Sequence, residues 1–270
     1  GEEVIPAEPG RDVFGEFFPE GVNRLDKELE RVSVGELIGR VRRRERVGGL
    51  DFGALTGKDA ERAADALSKW FAAKREGWCT ETQARDILAF LGFQVSEVVP
   101  ILGNRGRWMK LEANPLNSRE HCPIPFYGSG ANGGYRVLCV WERPNEEALL
   151  QDVGDTARVP VIVFHFGRLT EHRRRHLARL CREQRKTVLV LDDILLVYLC
   201  SVPGVRLGAL FRCGLPFTYA EAYVTSSGPV PPEMFYGRRW ALESIHDPYG
   251  SCFIYGGRQL GKTALLCEAQ

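Results

Sequence analysis

Eight residues in the 270-residue chain, Gly256-Gly257-Arg258-Gln259-Leu260-Gly261-Lys262-Thr263, match the pattern G-x-x-x-x-G-K-[ST] at every defined position. Each residue type has a task in a phosphate cradle, or P-loop. The glycines let the backbone bend into a concave nest whose N–H groups point at phosphate oxygens. Lys262 has the reach to meet the β- and γ-phosphates, and the hydroxyl of Thr263 is the type of ligand that Mg²⁺ takes. The chemistry expected of these residues is binding of a nucleoside triphosphate with Mg²⁺, with the choice of ATP over GTP left open by the motif. Their setting agrees: apolar residues at 252–255 predict a strand before the loop, and Lys262 opens a predicted helix after it.

A second element lies upstream, Phe235-Tyr236-Gly237-Arg238. The order of this box, a short helix, an apolar strand and GGRQLGKT resembles the opening of STAND and origin-recognition-type members of the AAA+ ATPases. The resemblance covers about residues 233–270. It implies that Phe235 and Gly237 lie near the adenine, with Arg238 ordering the loop. Where the family usually has an acid after this arginine, the chain has Arg239. The family's Walker B acid, sensors and arginine finger follow the P-loop, so the chain reads as the front part of such a protein, cut after Walker A. The resemblance thus implies nucleotide binding by the parent protein, with at most weak binding and no hydrolysis by these residues alone.

Other residues invite chemistry less specifically. Val188 to Asp193 is an apolar run ending in two acids, but it precedes the loop instead of following it. Asp193 capping the next helix is one reading; a metal-dependent, nuclease-like effector site centred on Asp192 and Asp193 is another, and a displaced ATPase acid a third. Gly128 to Gly133 satisfies G-x-G-x-x-G, yet a strand follows it where a dinucleotide site needs a helix, so it reads as a turn. His165 sits in an apolar strand and reads as core. His172 and His176 have a spacing that can bind metal, but three arginines fill the gap, so a solvated basic helix is expected there. Arginine-rich helices around Arg42 and Arg173 are the candidate contacts for nucleic acid or a protein partner. The eight cysteines show no CxxC or CxH spacing, which argues against zinc and for reduced thiols.

The elements that must position these residues follow from periodicity. Residues 1–20 read as a loosely ordered lead-in. Residues 21–134 read as a helical and short-strand α+β region, with helices over 22–46, 58–74 and 81–91 and short strands at 95–102 and 107–111; a winged helix is one version of it. The helix at 81–91 carries a capping box, Thr80 with Gln83, and a stop at Gly92. Over 135–224 apolar strands alternate with amphipathic helices, predicting a parallel, three-layered, Rossmann-like α/β module. A linker at 225–233 leads to the start of the P-loop domain at 234–270. The expected fold class is therefore α/β throughout.

With 44% hydrophobic and 26% charged residues, the composition is that of a globular protein, and a net charge of +1 offers no global attraction to polyanions. No run approaches the roughly 20 apolar residues that cross a bilayer, and nothing near the start reads as a secretion signal. A cytoplasmic, ATP-binding regulatory or signalling protein is the expectation, with the effector enzyme and the partner-binding module as alternatives.

Overall fold

The computed structural model describes residues 20–101, 107–115, 124–141, 144–156, 159–218, 230–231, 234–235, 237–255 and 261–269. The lead-in at 1–19 and most of the linker at 225–233 lie outside the described residues.

The expected first helix is two. Helix α1 spans Glu20–Arg31 and α2 spans Val34–Arg42. The break comes from Ser33, whose hydroxyl accepts the N–H of Glu36 (3.2 Å) and so caps α2. Helix α3 (Gly57–Glu76) is capped by Thr56 and closed by Gly77 in the left-handed region. Helix α4 (Glu81–Leu91) shows both arms of the predicted capping box: Gln83 N–H to the Thr80 hydroxyl, and Thr80 N–H to Gln83 Oε1.

The strands are β1 (Phe93–Pro100), β2 (Trp108–Pro115), β3 (Gly134–Val140), β4 (Val161–His165) and β5 (Val188–Asp192). They form one sheet in the order β1-β2-β3-β4-β5. The parallel pairing expected over 135–224 is present, but it is part of a larger mixed sheet. Pairing is parallel from β3 to β5 but antiparallel between β1 and β2 and between β2 and β3. The short strands expected to form an α+β unit of their own, a winged helix included, instead extend this sheet, which therefore crosses the boundary expected between 134 and 135. The reason is register: Leu111 lies opposite Tyr135 and Met109 opposite Val137, so the apolar faces of β2 and β3 coincide. The glycine-rich segment at 128–133 is part of the irregular connection into β3, with 3₁₀ turns at Pro125–Tyr127 and Ser129–Ala131, not a dinucleotide loop.

Two parallel crossovers carry helices α5 (Glu146–Val153) and α6 (Glu171–Glu183). Both cover one face, where Leu149, Leu150, Leu177 and Cys181 bury Val161, Val163, Val188 and Val190. Alternate residues Ile162, Phe164, Leu189 and Leu191 face the other side. There α3 and α4 pack together with α7 (Asp193–Ser201) and α8 (Leu207–Gly214). Trp70 of α3 anchors this layer, fully buried with its ring 5.4 Å from Phe164 and 4.4 Å from Phe166. The indole N–H of Trp141, after β3, donates to the carbonyl of Ala73 (2.9 Å). The chain is thus a three-layered, mixed α/β structure across residues 20–218.

Two further helices follow, α9 (Arg239–His246) and α10 (Lys262–Glu268). They touch each other, and His246 Nε2 lies 3.1 Å from the carbonyl oxygen of Ala269. The strand expected at 252–255 is not formed, and Phe253 and Tyr255 are exposed. Apolar content is not enough for a strand, which needs a neighbour to take its backbone hydrogen bonds; none of the five described strands pairs with this segment. Among the described residues no helix is long and apolar enough to cross a membrane.

The junction between α4 and β1 depends on Gly92, which has φ +113°; a methyl group placed on its α-carbon would stand only 2.8 Å from Leu207 Cγ. Replacement Gly92→Ala should destabilise the fold by about 2 kcal/mol, combining backbone strain with overpacking. Urea unfolding of the variant beside wild type measures it.

Candidate functional site

The carboxyl end of β5 gathers most of the buried charge in the body. Asp192 is wholly buried and accepts three donors: Arg174 Nη2 (2.6 Å), the Leu169 amide (2.9 Å) and the Leu195 amide (3.0 Å). It is the N-cap of α7, a role the sequence assigned to its neighbour Asp193. Both carboxylate oxygens are therefore committed to structure. His165 is paired with Asp192 in the β4–β5 register and is likewise buried, and its ring nitrogens have no hydrogen-bond partner. Burial holds its pKa below the usual histidine range, so it is a neutral core residue.

Asp193 points to the opposite face. Its Oδ1 accepts the indole N–H of Trp70 (2.8 Å), and its Oδ2 meets the ammonium of Lys74. Desolvation pushes its pKa up to about 6, against the opposing pull of Lys74 and of the Trp70 hydrogen bond. This carboxylate lies at the floor of a cleft of about 730 Å³ between α1, α2 and α3. Leu29, Leu37, Ile38 and Phe71 make the apolar walls, and Lys74, Arg75 and Arg168 bring charge. Arg168, in the loop after β4, ties α1 to the sheet through Asp26 (3.2 Å) and Glu30 (3.3 Å). A large apolar cleft with one buried, shifted carboxylate has the form of a ligand site, and Asp193 has the pKa of a group able to exchange protons near neutrality.

A metal centre is a different matter. Among the described residues no group of three or more His, Cys, Asp or Glu is arranged to hold a metal ion. With Asp192 spent on amides and Arg174, the metal-dependent reading of Asp192 and Asp193 lacks a ligand set there. His172 and His176 face each other on α6 with ring centroids 6.5 Å apart, and His176 lies 3.3 Å from Glu147. Trp70, Lys74, Arg168 and Arg174 are not singled out as site residues by the sequence. Their partners are far away in the chain, and only the helical spacing that sets Trp70 and Lys74 on one face of α3 hints at shared work.

Of the expected P-loop residues, Gly256, Gly257, Arg258, Gln259 and Leu260 lie outside the described residues. Gly261 has φ +72° and precedes α10, whose first residue is the half-buried Lys262; Thr263 is exposed. From the upstream box, Arg238 Nη1 lies 4.0 Å from where a Cβ on Gly261 would be. Phe235 is half-buried and Gly237 is exposed with φ +77°; Tyr236 lies outside the described residues.

The arginines around Arg42 are largely matched by acids. Arg40 bonds Glu28 (2.9 Å) and Glu36 (2.5 Å), Arg42 bonds Glu61 (3.3 Å), and Arg43 bonds Glu45 (2.7 Å). That face is an ion-paired surface. The seven described cysteines are free thiols, five of them buried. Burial pushes Cys181, Cys200 and Cys213 up to about 12, which removes them as nucleophiles.

Two measurements test the roles of the paired acids. A carboxylate whose folded pKa exceeds its unfolded value stabilises the fold progressively as pH falls through the window between them. For Asp193 that window runs from about 6 down to the ordinary aspartate value of 3.8. Wild type should therefore gain stability relative to Asp193→Asn between pH 7 and pH 4, by about 2 kcal/mol. Urea unfolding at both pH values reads the difference. Replacement Arg174→Ala leaves Asp192 buried without its counter-ion and should cost about 3–5 kcal/mol at pH 7, seen as a lower midpoint in the same titration.

No family model matches the chain, and comparison with curated proteins and with solved structures also found no match.

Proposed function

We propose that the chain belongs to an ATP-binding regulatory protein, holding the nucleotide's phosphates with Gly256–Thr263 and its Mg²⁺ with Thr263. The α/β body over 20–218 is the part that meets a partner or effector, and nucleotide binding at the loop biases it. The observation that carries this reading is the meeting of two separate stretches of sequence. The octapeptide GGRQLGKT ends at Gly261-Lys262-Thr263, and the guanidinium of Arg238, from the FYGR box, stands beside Gly261. An arginine and a lysine flanking one glycine turn are the donors that phosphate oxygens call for. Gly261 has the left-handed backbone that a phosphate loop needs, and the exposed hydroxyl of Thr263 is accessible to a cation.

The roles divide among these residues. Lys262 is a point charge for the terminal phosphates; the loop amides supply directional donors; Arg238 holds the loop's last glycine turn from outside. Mg²⁺ would supply charge neutralisation between the β- and γ-phosphates. Binding is the activity proposed.

The test is titration with a fluorescent ATP analogue in the presence of Mg²⁺. Lys262→Ala should weaken binding by about tenfold or more, Thr263→Ala should remove most of the Mg²⁺ dependence, and Arg238→Ala should have a smaller effect than Lys262→Ala. Equal affinities of wild type and Lys262→Ala would reject the proposal.

A further inference from the structure

On the outer side of α6 a second cleft, of about 500 Å³, opens between that helix and the 3₁₀ turn at Leu215–Phe217. Its polar lining is wholly basic: Arg174, Arg175, Arg179 and Arg182, with His172 and His176. Pro216 and Phe217 form the apolar wall opposite. The charge is concentrated here to a degree the whole chain hides. From Glu171 to Lys186 stand six arginines and one lysine against two glutamates, a local net charge of +5 in a chain of net +1.

Helical geometry makes a stripe of the exposed members. Arg175, Arg179 and Arg182 follow at steps of four and three residues, so they share one face along roughly 10 Å of helix axis. Their internal contacts are modest. Arg175 pairs with the half-buried Glu171 at 2.8 Å, and Arg179 with Glu183 at 3.8 Å on the exposed surface. Arg182 donates Nη1 to the carbonyl oxygen of Pro216 (3.0 Å), which aims it across the cleft mouth. Exposed pairs of this kind are weak, and a guanidinium with five N–H donors keeps capacity for an incoming oxyanion. The buried Arg174 is fixed by Asp192 and gives the cleft a rigid floor.

We propose that this cleft binds a run of phosphate groups, laid along Arg175, Arg179 and Arg182, as a site distinct from the P-loop. The shared chemistry is the phosphate chain itself, found in free oligophosphates and in the backbone of a single nucleic-acid strand. The volume suits a ligand of nucleotide size or one segment of a strand.

The experiment uses the full chain carrying Lys262→Ala, so that the P-loop does not contribute, and a short fluorescein-labelled single-stranded oligonucleotide as the probe. Anisotropy is followed from low to physiological salt, with inorganic tripolyphosphate and unlabelled strand as competitors at matched ionic strength. Adding R175Q, R179Q and R182Q should weaken binding about tenfold or more at low salt and flatten the slope of log affinity against log salt by about two. The three positions are exposed, and an unchanged far-UV spectrum verifies that the variant is folded. Displacement by tripolyphosphate assigns the site to free oligophosphates; displacement by unlabelled strand alone assigns it to a nucleic-acid backbone. Wild-type affinity in the triple variant, or no saturable binding before the triple substitution at low salt, would overturn the proposal.

Discussion

A carboxylate taken wholly out of water is tolerated only where other donors replace the water it loses. At the end of β5 that requirement is met by three groups from three elements: the amide of Leu169 in the loop after β4, the amide of Leu195 in α7, and the guanidinium of Arg174 in α6. Removing any of the three leaves a charge in a dry interior, so Asp192 locks the positions of loop, helix and strand together. The next residue does the same on the other side of the sheet. Asp193 takes donors from Trp70 and Lys74 of α3. Consecutive residues at a strand end face opposite ways, and two adjacent acids thereby hold both helical layers to one end of the sheet.

The two candidate ligand sites of the body are consequences of that clamp. On the Asp193 side, α3 is held at the sheet and the apolar cleft opens between it, α1 and α2, with a single shifted carboxylate in its lining. On the Asp192 side, Arg174 is immobilised and the remaining arginines of α6 are turned outward, which creates the basic cleft. One end of one strand therefore serves two sites of opposite character. The apolar walls of the first suit an amphipathic ligand; the charge of the second suits phosphates. Carboxyl ends of parallel strands collect such sites because helix starts and loops converge there.

The proposed P-loop belongs to the segment that carries α9 and α10, apart from this clamp. The case for it is chiefly chemical, a glycine-rich stretch followed by Lys262 and Thr263, with Arg238 set against Gly261. The exposed rings of Phe253 and Tyr255 show that the apolar stretch before it has no sheet neighbour among the described residues. Its character as a strand depends on such a neighbour and not on its composition.

Features governed by neighbours in sequence are legible from the chain alone. The capping box of Thr80 and Gln83, the stop at Gly92 and the apolar strands at 161–165 and 188–192 are all local, because a few adjacent residues set the backbone geometry. Ser33 is the exception that supports the rule: its cap is local too, but the apolar stripe running through it masks the break. What depends on distant partners is not legible. That β1 and β2 join the parallel strands in one mixed sheet is decided by the match of apolar faces between β2 and β3. That Asp192 is a structural cap while Asp193 is the perturbed group depends on Trp70, Lys74 and Arg174, whose positions beside them come from packing alone. The sequence by itself determined the capped helix termini at Thr80 and Gly92 and the parallel run of strands from 135 onward; only the tertiary structure decided that two antiparallel strands join that sheet and how labour is divided between two adjacent acids. The physical reason is that burial and long-range hydrogen bonding are properties of an assembled interior, and no stretch of chain has an interior of its own.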